Sequence, residues 1–135
     1  MATRSCIGVK CGNKIVAIYA HWDGYVSHMG RHLDEYYNGL SEAIALIAKG
    51  ELVSIKPTIE ESEFYNEPLG ASNFQEFGSI KEFTEHYLEC WCEFAYLYFT
   101  DTETWKVCDL REDTSVFRSL SQAVCLQAVK ASILV

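Results

Sequence analysis

Apolar and polar positions along this chain follow two periods, and the places where the period changes mark its elements. Residues 4–9 (RSCIGV) and 14–20 (KIVAIYA) are strand-like runs separated by Lys10-Cys11-Gly12-Asn13. Gly and Asn tolerate positive φ, so the two runs are expected to form a β-hairpin. The second run leads into His21-Trp22-Asp23-Gly24, where Asp and Gly signal a turn. The period then becomes helical. Val26, Met29, Leu33 and Tyr36 or Tyr37 recur at spacings of three and four over residues 25–37, and Asn38-Gly39 ends the helix. Ser41 is placed to cap a second helix running to Lys49, with Ile44 and Ile47 inward and Gly50 after it.

Residues 51–78 lack a clear period. They contain Pro57, Pro68, the run Glu60-Glu61-Ser62-Glu63 and the turn residues Asn66, Gly70, Asn73 and Gly78. They are expected to form a long surface loop with one or two short extended pieces, and long irregular segments often carry function. Regularity returns at Ser79-Ile80-Lys81-Glu82, a capping box at a helix start. Ile80, Phe83, Tyr87 and Trp91 make the apolar stripe of that helix, while Glu82, Glu85 and Glu89 share another face. Cys92 to Phe99 (CEFAYLYF) is apolar at both alternations, which fits a strand buried on both faces. Asp101-Thr102-Glu103 turns the chain into a partner strand around Trp105-Lys106-Val107. A last helix over residues 115–133 is expected to bury Phe117, Leu120, Val124 and Ala128. The order ββαα–loop–αββα predicts an α+β fold, one antiparallel sheet with packed helices, as a single domain over residues 1–135.

Composition narrows the class. At 135 residues, about half of them apolar and 13% aromatic, the chain suits one packed core. No apolar run approaches the ~18 residues of a membrane span. Met1-Ala2-Thr3-Arg4-Ser5 shows neither an export signal nor a myristoylation glycine, so a cytoplasmic location is expected. In that compartment Cys6, Cys11, Cys90, Cys92, Cys108 and Cys125 are expected to be reduced thiols. The net charge of −8 is uneven. Residues 1–50 carry five Lys/Arg against four Asp/Glu, and residues 51–135 carry six against fifteen. Such a surface disfavours direct contact with nucleic acid and suits a basic protein partner, or serves solubility alone.

The residues with coordinating chemistry cluster early. His28 and His32 lie at i and i+4, and His21 and Asp23 stand just before them. Imidazole and carboxylate suit one zinc ion, although an aspartate before a helix also serves as a cap. Trp22 and Tyr25 could stack on a nucleotide base, with Arg31 at a phosphate, or could simply fill the core. The cysteines lack the CxxC spacing of common zinc sites. GxSxG, P-loop and HExxH signatures are missing, and a Cys–His nucleophile pair stays open because such partners need not be neighbours in sequence. Glu60, Glu61, Glu63 and Glu67 in the loop, with Glu82, Glu85 and Glu89 on the helix, could face a Lys/Arg-rich groove or merely solvent.

Met1-Ala2-Thr3-Arg4-Ser5 with the strand after it, the motif His21-Trp22-Asp23-Gly24-Tyr25, the helix holding His28 and Gly30, and the stretch Phe83 to Tyr98 through Trp91 resemble a family of small bacteriophage-encoded proteins. The resemblance covers residues 1–50 and 78–107. The chain departs from that pattern at Ala20, where relatives often have Cys, at Tyr36, where they have His, and across residues 58–78. The resemblance implies a phage or prophage origin, a setting in which small acidic accessory proteins such as anti-CRISPR proteins counter host defence. By analogy the expected function is protein binding, as a counter-defence inhibitor of a basic host protein such as a CRISPR effector nuclease, which holds its heteroduplex in a positive channel. The expected contact residues are Glu60, Glu61, Glu63, Glu82, Glu85 and Glu89. A second reading is a small metal-dependent enzyme, or a binder of a nucleotide signal, using His21, Asp23, His28 and His32.

Overall fold

The hairpin forms where the Gly-Asn signal places it. In the computed structural model, which describes residues 2–65 and 74–133, β1 (Ser5–Cys11) and β2 (Lys14–Ala20) pair antiparallel about Gly12 and Asn13, with Gly12 at φ 59°. After β2 come a π-helical turn (Val26–Gly30), α1 (Arg31–Tyr36) and α2 (Leu40–Ala48). Three short strands follow, β3 (Leu52–Ser54), β4 (Glu63–Phe64) and β5 (Gln75–Phe77). The chain continues through α3 (Ile80–Glu89), β6 (Phe94–Phe99), β7 (Thr104–Asp109), β8 (Arg118–Ser119) and α4 (Leu120–Ile133).

All eight strands join one sheet in the order β4-β3-β2-β1-β6-β7-β8, with β5 against the other end of β2. The fold is α+β, but the sheet is mixed and the expected antiparallel arrangement is corrected. β1 runs parallel to β6 from Ser5–Phe94 to Lys10–Phe99, and β2 meets β3 in parallel at Ala20–Leu52. The helices are the reason. A helix between two strands carries the chain back to the end where it started, so the next strand runs parallel to the one before. The connection from β5 through α3 to β6 is such a crossover, whereas α1 and α2 return the chain to the end of β2 that it left, where Leu52 pairs with Ala20 and β3 runs on in the same direction. The stretch expected to be mostly loop therefore supplies three sheet strands, anchored by the buried Leu52, Ile55 and Phe77.

Side-chain alternation divides the sheet between two cores. Ile7, Val9, Ile18, Tyr96, Tyr98, Trp105 and Val107 face Met29, Leu33, Leu46 and Leu120 of the helical layer on one side. Cys6, Ile15, Ala17, Ala95, Leu97 and Cys108 face Phe77, Phe83 and Tyr87 on the other. β6 is buried on both faces, as its continuous apolar run implies.

Three helices differ in detail from the expected ones. The single helix over 25–37 is a π-turn continued by a short α-helix. Gly30 sits at the joint, where an added Cβ would lie 3.0 Å from Leu120 Cδ1. In α2 the inward residues are Ala43, Leu46 and Ile47, while Ile44 is exposed and Gly39 holds the cap position that Ser41 was expected to take. The last helix starts at Leu120. Phe117 packs beside Phe99 ahead of it, Leu120 is buried, Val124 is half-buried and Ala128 is exposed.

Candidate functional site

The segment from His21 to His32 leaves the end of β2 and crosses the sheet edge under tight constraints. The amide of His21 donates to Leu52 O at 3.0 Å, and its Nε2 lies 2.6 Å from Glu51 Oε2. The ring stands edge-on to Tyr19 and stacks against Tyr65, with centroids 4.8 and 6.3 Å away. Asp23 takes φ 54°. Gly24 donates to Thr3 O at 2.9 Å, and its carbonyl accepts the buried Tyr96 hydroxyl at 2.6 Å. Trp22 and Tyr25 are exposed rather than core aromatics.

The π-turn then brings two histidines together. The His28 and His32 rings lie 4.5 Å apart, and His32 Nδ1 is 2.7 Å from the His28 carbonyl oxygen, so this nitrogen carries the proton and donates. His28 Nε2 is shielded from solvent and has no hydrogen-bond partner. Burial lowers the His28 pKa and the neighbouring His32 lowers it further, against an opposing pull from Asp23. Of the four residues expected to gather around zinc, the structure thus brings His28 and His32 into contact and turns His21 aside to Glu51. Among the described residues no three His, Cys, Asp or Glu side chains converge as a metal-holding group.

The lowered His28 pKa has a measurable consequence. Below about pH 6.5, the ordinary value of an unfolded histidine, the unfolded chain takes up a proton that the folded chain still refuses. Stability is therefore lost from about pH 6.5 down to the lower folded pKa and levels off beneath it. Thermal melts at pH 7.5 and 5.5 should show this fall, and His28→Gln should flatten it. An equal fall in the variant would assign the acid sensitivity to another group.

The acidic residues belong to two separate segments, the stretch into β4 and the helix α3. Glu60 and Glu61 lie in the turn before β4, where Glu61 Oε1 accepts from Thr58 Oγ1 at 2.9 Å. Glu63 starts β4, and the adjacent Ile59 and Phe64 pack toward the α1–α2 side of the sheet. Glu82, Glu85 and Glu89 belong to α3, whose Phe83 and Tyr87 pack on the opposite side. Glu82 is engaged at the helix start, as its capping-box position implies. Its Oε2 accepts from Gly78 N at 2.9 Å, and its own amide donates to Ser79 Oγ at 3.1 Å. Glu85 lies 4.0 Å from Lys81 at i−4. Glu67 falls outside the described residues.

Two features at the end of α3 are not evident from residue spacing. Trp91, expected in the buried stripe, is 79% exposed. The amide of Cys92 donates to Tyr87 O at 3.0 Å and that of Trp91 to Leu88 O at 3.1 Å. These two bonds make a Schellman cap, whose left-handed position is usually glycine; here Trp91 holds it at φ 68°. Behind the cap, a cleft of about 300 Å³ is lined by Tyr19, Glu51, Gln75, His86, Tyr87 and Cys90. His86 Nε2 and Cys90 Sγ lie 3.8 Å apart. Burial raises the Cys90 pKa, and Cys92 and Glu89 raise it further. All six cysteines are free. No helix among the described residues is long and apolar enough to cross a membrane. No family model matches this chain, and comparison with curated proteins and with solved structures found no match.

Proposed function

We propose that this protein acts by binding a basic protein partner through the surface around Trp91, as a phage counter-defence protein that inhibits a nucleic-acid-guided nuclease of the host cell. The observation that carries the binding reading is the backbone of Trp91. A non-glycine residue in the left-handed region costs about 1–2 kcal/mol, and a bulky one there marks stored strain. Glycine would remove that cost at no loss of packing, because the indole is 79% exposed. A large aromatic kept in a strained, solvated position is what a binding anchor requires, and tryptophan leads the residues that dominate interface energies. The helix before it carries Glu85 and Glu89. An indole face next to carboxylates suits an arginine or lysine from the partner. The nuclease identity rests on the phage resemblance and on the positive channel of such effectors.

Trp91→Gly separates binding from folding. The variant should be more stable by about 1 kcal/mol, or roughly 4 °C in melting temperature, while losing inhibition of a purified CRISPR nuclease. The wild-type protein should inhibit at one copy per nuclease, with Glu85→Lys/Glu89→Lys slowing association. Full inhibition by the Trp91→Gly variant would remove Trp91 as the anchor. Inhibition at far below one copy per nuclease would turn the reading toward an enzyme.

A further inference from the structure

The last helix is out of keeping with the rest of the fold. Every residue of α4 from Cys125 to Ile133 is exposed, and among the described residues the helix packs on the core at Leu120, Ala123 and Val124, all in its first turns. The exposed half is not polar. Leu126 is 54%, Val129 47% and Ile133 74% exposed, and Lys130 is the one charged residue between Leu120 and Ile133. Leu126, Val129 and Ile133 fall on one stripe at helical spacing, with Gln127 and Lys130 to one side of it, and an apolar stripe on a helix is ordinarily buried.

Beside this helix lies an open cleft of about 370 Å³, floored by Val26, Phe94, Val107 and Val116 and walled by α4 itself at Leu126 and Lys130. Its far rim carries Asp109, Glu112 and Asp113 together with Arg118, and Asp109 is already paired with Arg111 at 2.9 Å. Among the described residues Lys130 has no ion-pair partner within 4 Å. An apolar ridge and an apolar-floored cleft thus adjoin on one patch, with a cation on the ridge and carboxylates on the rim.

The geometry points to a second copy of this chain as the occupant. The two copies would be related by a two-fold axis, so that Val129 and Ile133 of each α4 enter the cleft of the other and Lys130 meets Glu112 and Asp113 across the interface. Self-complementarity of one patch is what a two-fold interface needs. Size is also adequate. Half the surface of a cylinder about 21 Å long and about 12 Å across is on the order of 400 Å². Two such helices and the cleft walls approach the ~1,200 Å² at which specific interfaces begin. This surface lies on the opposite side of the sheet from α3, so the inference stands apart from the reading of Trp91.

Sedimentation velocity on the full chain, from about 1 to about 100 µM, tests it. The wild-type protein should reach twice the 15.3 kDa chain mass as concentration rises. Leu126→Glu/Val129→Glu should stay at the monomer mass, and Ile44→Glu on the separate α2 surface should dimerise like wild type. Amide exchange on the wild-type protein gives a reading free of any folding defect in a variant: protection of residues 125–133 should fall on dilution while that of β6 does not. A wild-type monomer at every concentration would overturn the inference and leave α4 to an unrelated partner. A dimer that persists in Leu126→Glu/Val129→Glu would overturn it equally, by placing the contact elsewhere.

Discussion

Gly24→Ala should lower the melting temperature by roughly 10 °C, the consequence of a loss of about 3 kcal/mol at this chain length. The substitution looks mild, since Gly24 lies outside the regular elements and its φ is not positive. Space is what forbids it. A Cβ at Gly24 would stand 2.6 Å from Ser5 Oγ, 2.7 Å from Ser5 Cβ and 2.8 Å from Thr3 O. Ser5 is fully buried in the sheet, and Thr3 O is backbone that already accepts the Gly24 amide. Neither can withdraw without disturbing β1. Relief by moving residue 24 instead would break two bonds at once, its amide to Thr3 and its carbonyl to the Tyr96 hydroxyl. Thermal unfolding followed by circular dichroism measures the loss. Tyr96→Phe provides the partial control, because it removes one hydrogen bond without a clash and should cost about 1–2 kcal/mol. A Gly24→Ala protein that melts with the wild type would mean that the His21–Tyr25 turn is not clamped to the N-terminal strand.

Trp105→Ala should cost about 4 kcal/mol in urea unfolding, a large share of what a marginally stable domain of this size holds. Trp105 is nearly fully buried on β7, its ring set edge-on to Tyr98 at 5.4 Å. Its Nε1–H donates to the backbone carbonyl of Tyr37, 68 residues earlier, at 2.9 Å. That carbonyl lies just past the end of α1, where the chain turns toward α2. Truncation would remove the ring from the core and take away one of two donors to that carbonyl, which keeps the Gly39 amide at 3.1 Å. Trp105→Phe separates them, keeping most of the packing while losing the indole hydrogen bond, and should cost about half as much. Trp22→Ala, at an exposed site, should stay within about 0.5 kcal/mol. Equal midpoints for Trp105→Ala and Trp22→Ala would contradict the place of Trp105 in the core.

Of the elements read from the chain, the most accurate are those whose causes lie within a few residues. The Gly12-Asn13 hairpin depends on two adjacent residues that tolerate positive φ. The capping box at Ser79 depends on a hydroxyl and a carboxylate three positions apart. The burial of β6 shows in its unbroken apolar run. The parallel pairings were also implicit, since helices stood between strands, but the short β3 and β5 have too few residues to show a period. Trp91 was misplaced for a different reason. Helical spacing assigns it to the stripe of Phe83 and Tyr87, yet the helix ends at Glu89 with no glycine to announce the stop. A Schellman cap built on tryptophan has no local signal.

The candidate sites follow the same division. Residue types and spacing were enough to single out His28 with His32, the Glu82–Glu89 face of α3 and the turn at Asp23-Gly24, because a helix or turn brings such residues together by its own geometry. Whether His21 would join the histidines depended on Glu51, thirty residues away, whose carboxylate holds its Nε2 at 2.6 Å. Whether the two acidic groups would form one surface depended on how each segment packs on the sheet, where Ile59 and Phe64 join one core and Phe83 and Tyr87 the other. The apolar character of α4 was plain in its residues, while its lack of cover followed only from where the rest of the chain ended up. Local conformation arises from neighbouring residues and can be read from them. Pairing partners, layers and exposed faces are set by contacts between residues far apart in the chain, and those exist only once the chain has folded.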